Sequence, residues 1–256
     1  MNNTNSMPGD VKINQLLSEL PKGAVVLSSW LSSRGYSYEL QQRYRKSGWF
    51  TSIGRGAMIR TGDRLQLTAA VAALQQSGVS VHISGRSALG LLGYAHYLEV
   101  NVEKITLFVA AGVKFPDWFK INQWDSEPDV YHSSLFNTDV GLVDYSEGEI
   151  KVKISGAARA IMECLSLCPD RFSLSEAYEL MEGLNGLRPL QVQELLQLCN
   201  SIKTKRLFLH FAEKLNHAWL KYVDTKSIDL GSGKRSLVKN GALTAKYNLV
   251  LPRELI

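Results

Sequence analysis

The first 35 residues carry two runs whose apolar positions recur at the spacing of an α-helix. The first run is KINQLLSEL (12–20), and Pro21 stops it. The second run, VVLSSWLSSRG (25–35), places Val26, Leu27, Trp30 and Leu31 on one stripe and ends at Gly35. These patterns predict two short amphipathic helices joined by a turn of a few residues.

A third short helix is predicted after Ser37, which is suited to be its N-cap. At about 100° per residue, Leu40 and Tyr44 fall on its inner side. The predicted outer side carries Tyr38, Gln41, Gln42, Arg45 and Lys46, with Arg43 on the flank. Gln and Arg can make paired bonds to base edges in the major groove of DNA, and Lys can contact phosphate. Three short helices that end in such a face predict a helix-turn-helix.

A hairpin is predicted directly after the third helix. WFTSI (49–53) and AMIRT (57–61) are strand-like, and Gly54, Arg55 and Gly56 join them in a tight turn. Such a hairpin would make the domain a winged helix, with Arg55 at a tip that reaches the minor groove. An ordinary hairpin with one exposed arginine is the alternative. The predicted DNA-binding residues are Ser37, Tyr38, Gln41, Gln42, Arg43, Arg45, Lys46, Arg55 and Arg60.

Charge is distributed unevenly along the 256 residues. Residues 1–64 carry nine Lys/Arg against four Asp/Glu, residues 65–150 carry four against ten, and residues 151–256 carry sixteen against ten. Two basic regions around an acidic middle indicate two basic surfaces, and a basic surface is the electrostatic signature of a nucleic-acid partner. A mixed solvated surface would explain the same charges.

The remaining pattern predicts an α+β protein with two domains. The first, residues 1–98, is the winged helix-turn-helix with two further helices in RLQLTAAVAALQQSG (64–78) and SALGLLGY (87–94). The second, residues 99–256, is larger and mixes strands near 104–110 and 141–154 with later helices and a short β tail. Those helices are predicted near 156–167, 175–184, 189–200 and 205–217, with Ser155 and Ser175 as caps and Pro189 in a first turn.

Several chemistries find little support in the residues. The start MNNTNSMPGDVK does not resemble a signal peptide, and no apolar stretch reaches the roughly 20 residues that cross a bilayer, so we expect a cytoplasmic protein without membrane contact. Cys164, Cys168 and Cys199 lack CxxC spacing and five histidines are scattered, so we expect neither disulfides nor a metal. LGSGKRS (230–236) lacks two positions of the phosphate-binding loop, so we expect no nucleotide cofactor there.

A metal-dependent nuclease is a weaker alternative. Asp139 or Asp144 followed by Glu149 and Lys151 resembles a set of two carboxylates and a lysine that can hold Mg²⁺ and orient water. The spacing is loose, and alternating apolar residues on both sides of Glu147-Gly148 also predict a plain hairpin with charges outside. We therefore expect no catalytic residues.

Four segments resemble the AbiEi family, antitoxins of bacterial type IV toxin–antitoxin and abortive-infection systems. They are VHISGRSALGLLGYAHYL (81–98), FPDWFK (115–120), SGAARAIMECL (155–165) and the block from KTKRLFLHF to YNLVLP (203–252). The resemblance implies a winged helix-turn-helix that binds inverted repeats of double-stranded DNA in its own promoter and represses the operon. It also implies a C-terminal domain that counters an AbiEii-like nucleotidyltransferase toxin without a stable complex, and a protein that is not itself an enzyme. We expect no cofactor. A direct toxin-binding inhibitor is the alternative.

The second basic region supplies a candidate antitoxin surface. Its predicted residues are Lys203, Lys205, Arg206, Lys234, Arg235 and Lys239. Because Arg206 begins the amphipathic stretch RLFLHFAEKL, part of this cluster can instead cap an amphipathic helix. Whether the free protein is a monomer that pairs only on DNA stays open.

Overall fold

The computed structural model describes residues 8–94 and 104–256. The first range contains, in chain order, α1 (Pro8–Glu19), β1 (Val26–Leu27), α2 (Ser28–Ser33), α3 (Tyr38–Lys46), β2 (Phe50–Gly54), β3 (Ala57–Arg60), α4 (Leu67–Gln76), β4 (Val81–Ile83) and α5 (Gly85–Leu91). The second range begins with β5 (Lys104–Ala110), α6 (Asp117–Lys120), β6 (Glu127–Ser133), β7 (Leu142–Glu147) and β8 (Ile150–Ser155). It continues with α7 (Ala157–Leu167), α8 (Leu174–Glu182), α9 (Pro189–Leu198), α10 (Ile202–Lys214), β9 (Arg235–Ser236), β10 (Ala242–Thr244) and β11 (Leu249–Leu251).

The described residues fall into two compact units. The first contains the chain up to Val81, with Gly112–Pro128 and Asp144–Lys153; the second contains His82–Ala111, Asp129–Val143 and Ile154–Ile256. The predicted α+β class is confirmed by this mixture of helices and sheets. The predicted boundary at residue 98 stays a prediction.

The first unit has the element order of a winged helix-turn-helix. Helices α1, α2 and α3 precede the β2–β3 hairpin, and the sheet order β1-β3-β2 is antiparallel. Their apolar faces form one buried cluster, which consists of Ile13, Leu16, Val26, Leu31, Tyr36, Leu40, Tyr44, Phe50 and Met58. Ser37 is the N-cap of α3, as the sequence predicts, because its Oγ accepts a hydrogen bond from the Leu40 amide at 3.3 Å.

Gln41 lies inside the first unit and connects α3 to α2. Its side chain is fully buried, and Nε2 lies within hydrogen-bond distance of Ser28 O at 3.1 Å, Tyr36 O at 2.8 Å and Ser32 Oγ at 3.1 Å. Ser28 begins α2, Ser32 lies in its last turn, and Tyr36 lies in the link between α2 and α3. The amide therefore sets the angle at which α3 leaves the turn.

The second unit is built around helices α5 and α7–α10. In this unit Ile83 of β4 and Ile154 of β8 pair in parallel, within a sheet of strand order β6-β5-β4-β8-β7. A small sheet of order β10-β11-β9 forms the predicted β tail. Pro189 occupies the first turn of α9, as predicted. The predicted caps at Ser155 and Ser175 are wrong, because Gly156 and Ser173 precede α7 and α8.

A fully buried carboxylate, Glu163 of α7, organises the second unit. Its Oε1 accepts from His82 Nε2 at 2.8 Å and Arg159 Nε at 3.0 Å, and its Oε2 accepts from Ser155 Oγ at 2.6 Å and the Gly85 amide at 3.2 Å. Burial alone would raise the pKa of Glu163, but His82, Arg159 and Ser155 together lower it. The Ser155 hydroxyl therefore donates to this carboxylate and does not cap a helix.

Replacing Gln41 with Ala is expected to destabilise the protein by about 1–3 kcal/mol, because the buried carbonyl group of Tyr36 and the part-buried one of Ser28 lose a donor. The matched control is Gln42→Ala, since Gln42 is the exposed neighbour on the same helix, where a change within about 0.5 kcal/mol is expected. Urea unfolding followed by circular dichroism measures both. Equal stability of the two variants would show that the Gln41 amide does not connect these helices.

Acid is expected to destabilise the fold in two stages. Burial lowers the pKa of His210 and of His217 below 6.5, so the unfolded chain binds more protons and stability is lost as the pH falls below about 6.5. The pKa of Glu163 is lowered from 4.5, so its contribution is present above pH 4.5 and is lost in stronger acid. Tm measured between pH 8 and pH 3 tests both stages. The variant His210→Gln/His217→Gln should lose only the first stage; a constant Tm between pH 7.5 and 5.5 in the unchanged protein contradicts the account.

Candidate nucleic-acid interface

Helix α3 presents one polar face and buries the other. Leu40 and Tyr44 lie in the core of the first unit, as predicted. The exposed side carries Ser37, Tyr38, Gln42, Arg43 and Lys46, while Arg45 is half-buried. Tyr38 is 65% exposed. An aromatic ring, an amide and several cations therefore share one outward surface.

The prediction that Gln41 belongs to this outer face is wrong. At about 100° per residue, Gln41 lies about 60° from Tyr44 around the helix, so the turn brings it against α2. A glutamine can be accommodated there because carbonyl groups of the turn accept its amide hydrogens. Its Oε1 is buried and has no hydrogen-bond partner in the residues that the structure describes.

The tip of the β2–β3 hairpin consists of Gly54, Arg55 and Gly56, and Arg55 is exposed there. Gly54 and Gly56 have φ angles of 136° and 82°, which residues other than glycine rarely adopt. The register of the β2–β3 pairing also shifts between Ser52 and Gly54. The sequence-based expectation of a glycine-dependent turn with Arg55 at its tip agrees with this geometry.

The hairpin is held by the segment that contains α6, a contact that the sequence pattern gives no means to predict. A Cβ at Gly54 would lie 2.8 Å from Trp118 Cβ, so the backbones approach closely. Asn122 Nδ2 donates to Ile53 O at 2.6 Å and also to Trp118 O. The Trp118 ring packs edge-on against Phe119 and Trp124. The base of the hairpin is therefore clamped by an amide and an aromatic cluster 60 to 70 residues further along the chain.

Arg60, which the sequence predicts to bind DNA, instead binds backbone carbonyl groups at the end of α1. Its Nη2 donates to Leu17 O at 2.6 Å and to Leu20 O at 3.1 Å, at the end of α1. The side chain is half-buried. A cation at a helix C-terminus is favoured by the exposed carbonyl groups there. We therefore leave Arg60 out of the candidate interface.

The predicted antitoxin surface is wrong for Lys205 and Arg206, which are buried on α10. Arg206 is 2% exposed, and its guanidinium donates to Leu230 O at 2.7 Å, Gly233 O at 2.7 Å and Gly231 O at 3.1 Å. Lys205 Nζ donates to Asp229 O at 3.3 Å. Because α10 is buried along residues 204–212, its cations end inside the unit and bind backbone carbonyls.

Lys203 is half-buried and also faces inward. Its Nζ donates to Ser166 O at 2.8 Å and to Cys168 O, at the end of α7. Lys234, Arg235 and Lys239, the other predicted residues of the surface, are exposed. Only these three of the six predicted cations can meet a partner at the surface.

The glycine-rich turn at 230–236 has the opposite polarity to a phosphate-binding loop. Its carbonyl groups at Leu230, Gly231 and Gly233 are directed to the guanidinium of Arg206. A phosphate loop presents backbone N–H groups to an anion. The turn is therefore an internal cation site rather than a nucleotide site.

The four residues of the nuclease alternative, Asp139, Asp144, Glu149 and Lys151, are all exposed. Lys151 alternates with buried Ile150 and Val152 in β8, as a plain hairpin requires. No group of three or more His, Cys, Asp or Glu side chains within residues 8–94 and 104–256 is arranged to hold a metal ion. In the same part of the chain, no helix has the length and apolar character needed to span a membrane. All three cysteines are buried and unpaired.

Two family matches cover nearly the entire chain. Residues 9–100 match the N-terminal domain of AbiEi antitoxin transcriptional regulators, and residues 102–252 match the AbiEi antitoxin of type IV toxin–antitoxin systems, also described as a transcriptional regulator. In fold, the chain is similar to RV2827C from Mycobacterium tuberculosis, a crystal structure that aligns with a TM-score of 0.54 and 13% identity over 94% of this chain and 90% of that chain. No curated protein matches significantly. The chain therefore belongs to the AbiEi family of transcriptional regulators, the antitoxins of type IV toxin–antitoxin systems.

Proposed function

We propose that this protein binds double-stranded DNA at inverted repeats in its own promoter and represses its operon. The observation that carries the proposal is the outer face of α3, where Tyr38, Gln42, Arg43 and Lys46 are exposed beside half-buried Arg45. Amide and guanidinium groups on one helix face can read base edges, while lysine contacts phosphate. This face is opposite the side that the core covers, so a groove of DNA can receive it.

The β2–β3 hairpin supplies the second contact in this proposal. Arg55 stands at a tip whose base is fixed by Asn122 and Trp118. A fixed tip loses little conformational entropy on binding, which favours affinity. Arg55 then contacts the backbone or the narrow minor groove next to the α3 site. Family membership supports the same role, since these proteins are transcriptional regulators.

Replacing Gln42 or Arg45 with Ala is expected to weaken binding to the promoter by about 1–3 kcal/mol, because each change removes hydrogen bonds to a base edge. The effect on scrambled DNA should be smaller. Arg55→Ala should weaken binding to promoter DNA and to scrambled DNA to a similar extent, because a backbone or minor-groove contact carries little sequence information. Gel-shift titrations with the two DNAs measure the difference.

Arg188→Ala is the matched control for these titrations, since Arg188 is exposed in the second unit at the start of α9. It should leave promoter affinity unchanged. Unaltered affinity of a folded Gln42→Ala/Arg43→Ala/Lys46→Ala variant would place the reading surface elsewhere. Equal losses on promoter and scrambled DNA for Gln42→Ala would remove base reading from the proposal.

The second part of the proposal is that exposed cations of the second unit counter a nucleotidyltransferase-like toxin. Lys234 and Arg235 lie at the end of the glycine-rich turn, and Lys239 lies between that turn and β10. Three exposed cations within six residues attract an acidic protein face or a nucleic acid. In our proposal the antitoxin acts through these groups without a stable complex and without catalysis of its own.

Charge reversal at Lys234, Arg235 and Lys239 is expected to abolish rescue of growth during toxin expression. The fold should persist, because exposed charges contribute little to stability. Arg188→Glu, an exposed charge reversal at the start of α9, is the matched control and should rescue fully. Rescue by the folded triple variant would rule out the electrostatic route, and co-purification with the toxin would favour direct inhibition. Loss of rescue in Glu149→Ala/Lys151→Ala, with folding intact, would favour the nuclease alternative.

A further inference from the structure

The exposed large hydrophobic side chains of the first unit lie on or beside the elements proposed to bind DNA. Among the residues of that unit that the structure describes, they are Tyr38, Trp49 and Ile121. Tyr38 begins α3, and Trp49 directly precedes β2. Ile121 directly follows α6, far along the chain from both. Its exposure is therefore the one that the sequence of the winged helix does not explain.

Ile121 lies against the first residue of the hairpin tip. Its Cδ1 is 3.3 Å from the position that a Cβ at Gly54 would occupy, and Gly54 directly precedes Arg55. The Ile121 side chain is nevertheless 68% exposed. The tip region therefore presents an aliphatic side chain to solvent close to its exposed arginine.

The backbone on both sides of Ile121 is fixed. On one side, Trp118 and Phe119 are buried and their rings pack edge to face. On the other side, Asn122 Nδ2 donates to Ile53 O at 2.6 Å and to Trp118 O at 2.5 Å. An aliphatic group held in water by such a support gains free energy when a partner covers it, and little entropy is lost in doing so.

The surroundings of Ile121 suit an anionic partner better than a second apolar surface. Asp117 of α6 is exposed, but Lys120 Nζ lies 3.0 Å from its Oδ1 and offsets its charge. Lys114 and Arg55 are exposed nearby in the same unit. A stable protein interface buries about 800 Å² on each partner, far more than one isoleucine supplies. A single aliphatic side chain among cations instead resembles the apolar groups that proteins place in the minor groove of DNA.

An aliphatic contact in the minor groove can distinguish base pairs. A·T and T·A pairs present only acceptors there, whereas a G·C pair adds the guanine 2-amino group, which projects into the groove. An aliphatic side chain covering a G·C pair leaves this further polar group without water or an acceptor, which is unfavourable. A·T tracts also have a narrow minor groove that attracts arginine. The two side chains at the tip, Ile121 and Arg55, therefore favour the same base pairs for different reasons.

We propose that Ile121 contacts DNA together with Arg55 and makes the hairpin tip select A·T base pairs in the minor groove. The inference rests on the proposed function, since it requires promoter binding by α3 and the hairpin. It adds a specificity-determining residue from a segment outside the winged helix.

Gel-shift titrations of the full-length protein with substituted promoter duplexes test the inference. Each base pair in and beside one inverted repeat is replaced in turn by G·C or by inosine·C. Inosine lacks the 2-amino group, so the two duplexes differ at that position in the minor groove but present the same major-groove edge. At the pairs beneath the tip, the inosine·C duplex should bind about fivefold to tenfold more tightly than the G·C duplex.

Ile121→Ser is the decisive variant. It should remove this preference and weaken binding to the unsubstituted promoter about fivefold to tenfold, because the buried aliphatic surface is lost. Ile121→Val keeps a branched aliphatic group and should retain the preference. The matched control is Leu190→Ser, since Leu190 is 85% exposed in the second unit. Tm should stay unchanged in all three variants, because these side chains are exposed.

Three results would overturn the inference: full promoter affinity in Ile121→Ser, equal binding of the inosine·C and G·C duplexes at every position, or a preference that persists in Ile121→Ser and disappears only in Arg55→Ala. A dimer in light scattering that Ile121→Ser dissociates, with DNA binding unaffected, would assign the side chain to a second copy instead. If the unchanged protein does not bind the promoter, the proposed function fails as well. Promoter binding without these effects removes the inference alone.

Discussion

The fold depends on one constraint: a polar group that leaves water must find its hydrogen bonds inside the protein. Three buried side chains meet it by joining separate segments. Glu163 receives donors from β8, α7 and the region of β4 and α5, while Arg206 gathers the carbonyl groups of the turn before β9. Gln41 does the same for α2 and α3. Apolar burial supplies most of the stability, but it is non-directional, and these groups fix which arrangement forms.

The same constraint decides which polar residues remain for function. On α3, Gln41 is buried and its amide hydrogen-bonds the turn between α2 and α3. Its neighbour Gln42 is exposed, with Arg43 and Lys46. At the hairpin, Asn122 binds the backbone of Ile53, so that Arg55 is presented on a fixed support. A recognition surface made of short elements needs such supports, because a loose element loses more entropy when it binds.

The sequence was sufficient for the elements that have a strong local signal. Helical spacing predicted α1 and α3, and the paired glycines predicted the hairpin with Arg55 at its tip. The sequence was not sufficient to place the side chains of Gln41, Lys205 and Arg206, because hydropathy patterns assign every polar residue to the outside. Their partners lie in other segments, 24 residues away for Arg206 and Leu230, and no local pattern encodes that distance. Glu163 had a usable signal, since it is an acid within the apolar stretch AIMECLSLC.

Net charge is consequently a poor guide to surface charge in this protein. Residues 151–256 carry sixteen basic residues, yet Arg159, Lys205 and Arg206 are buried, and half-buried Lys203 donates inward to backbone carbonyls. What a partner meets is decided by exposure, and exposure selects Lys234, Arg235 and Lys239 at one place and Lys221 beside Tyr222 at another.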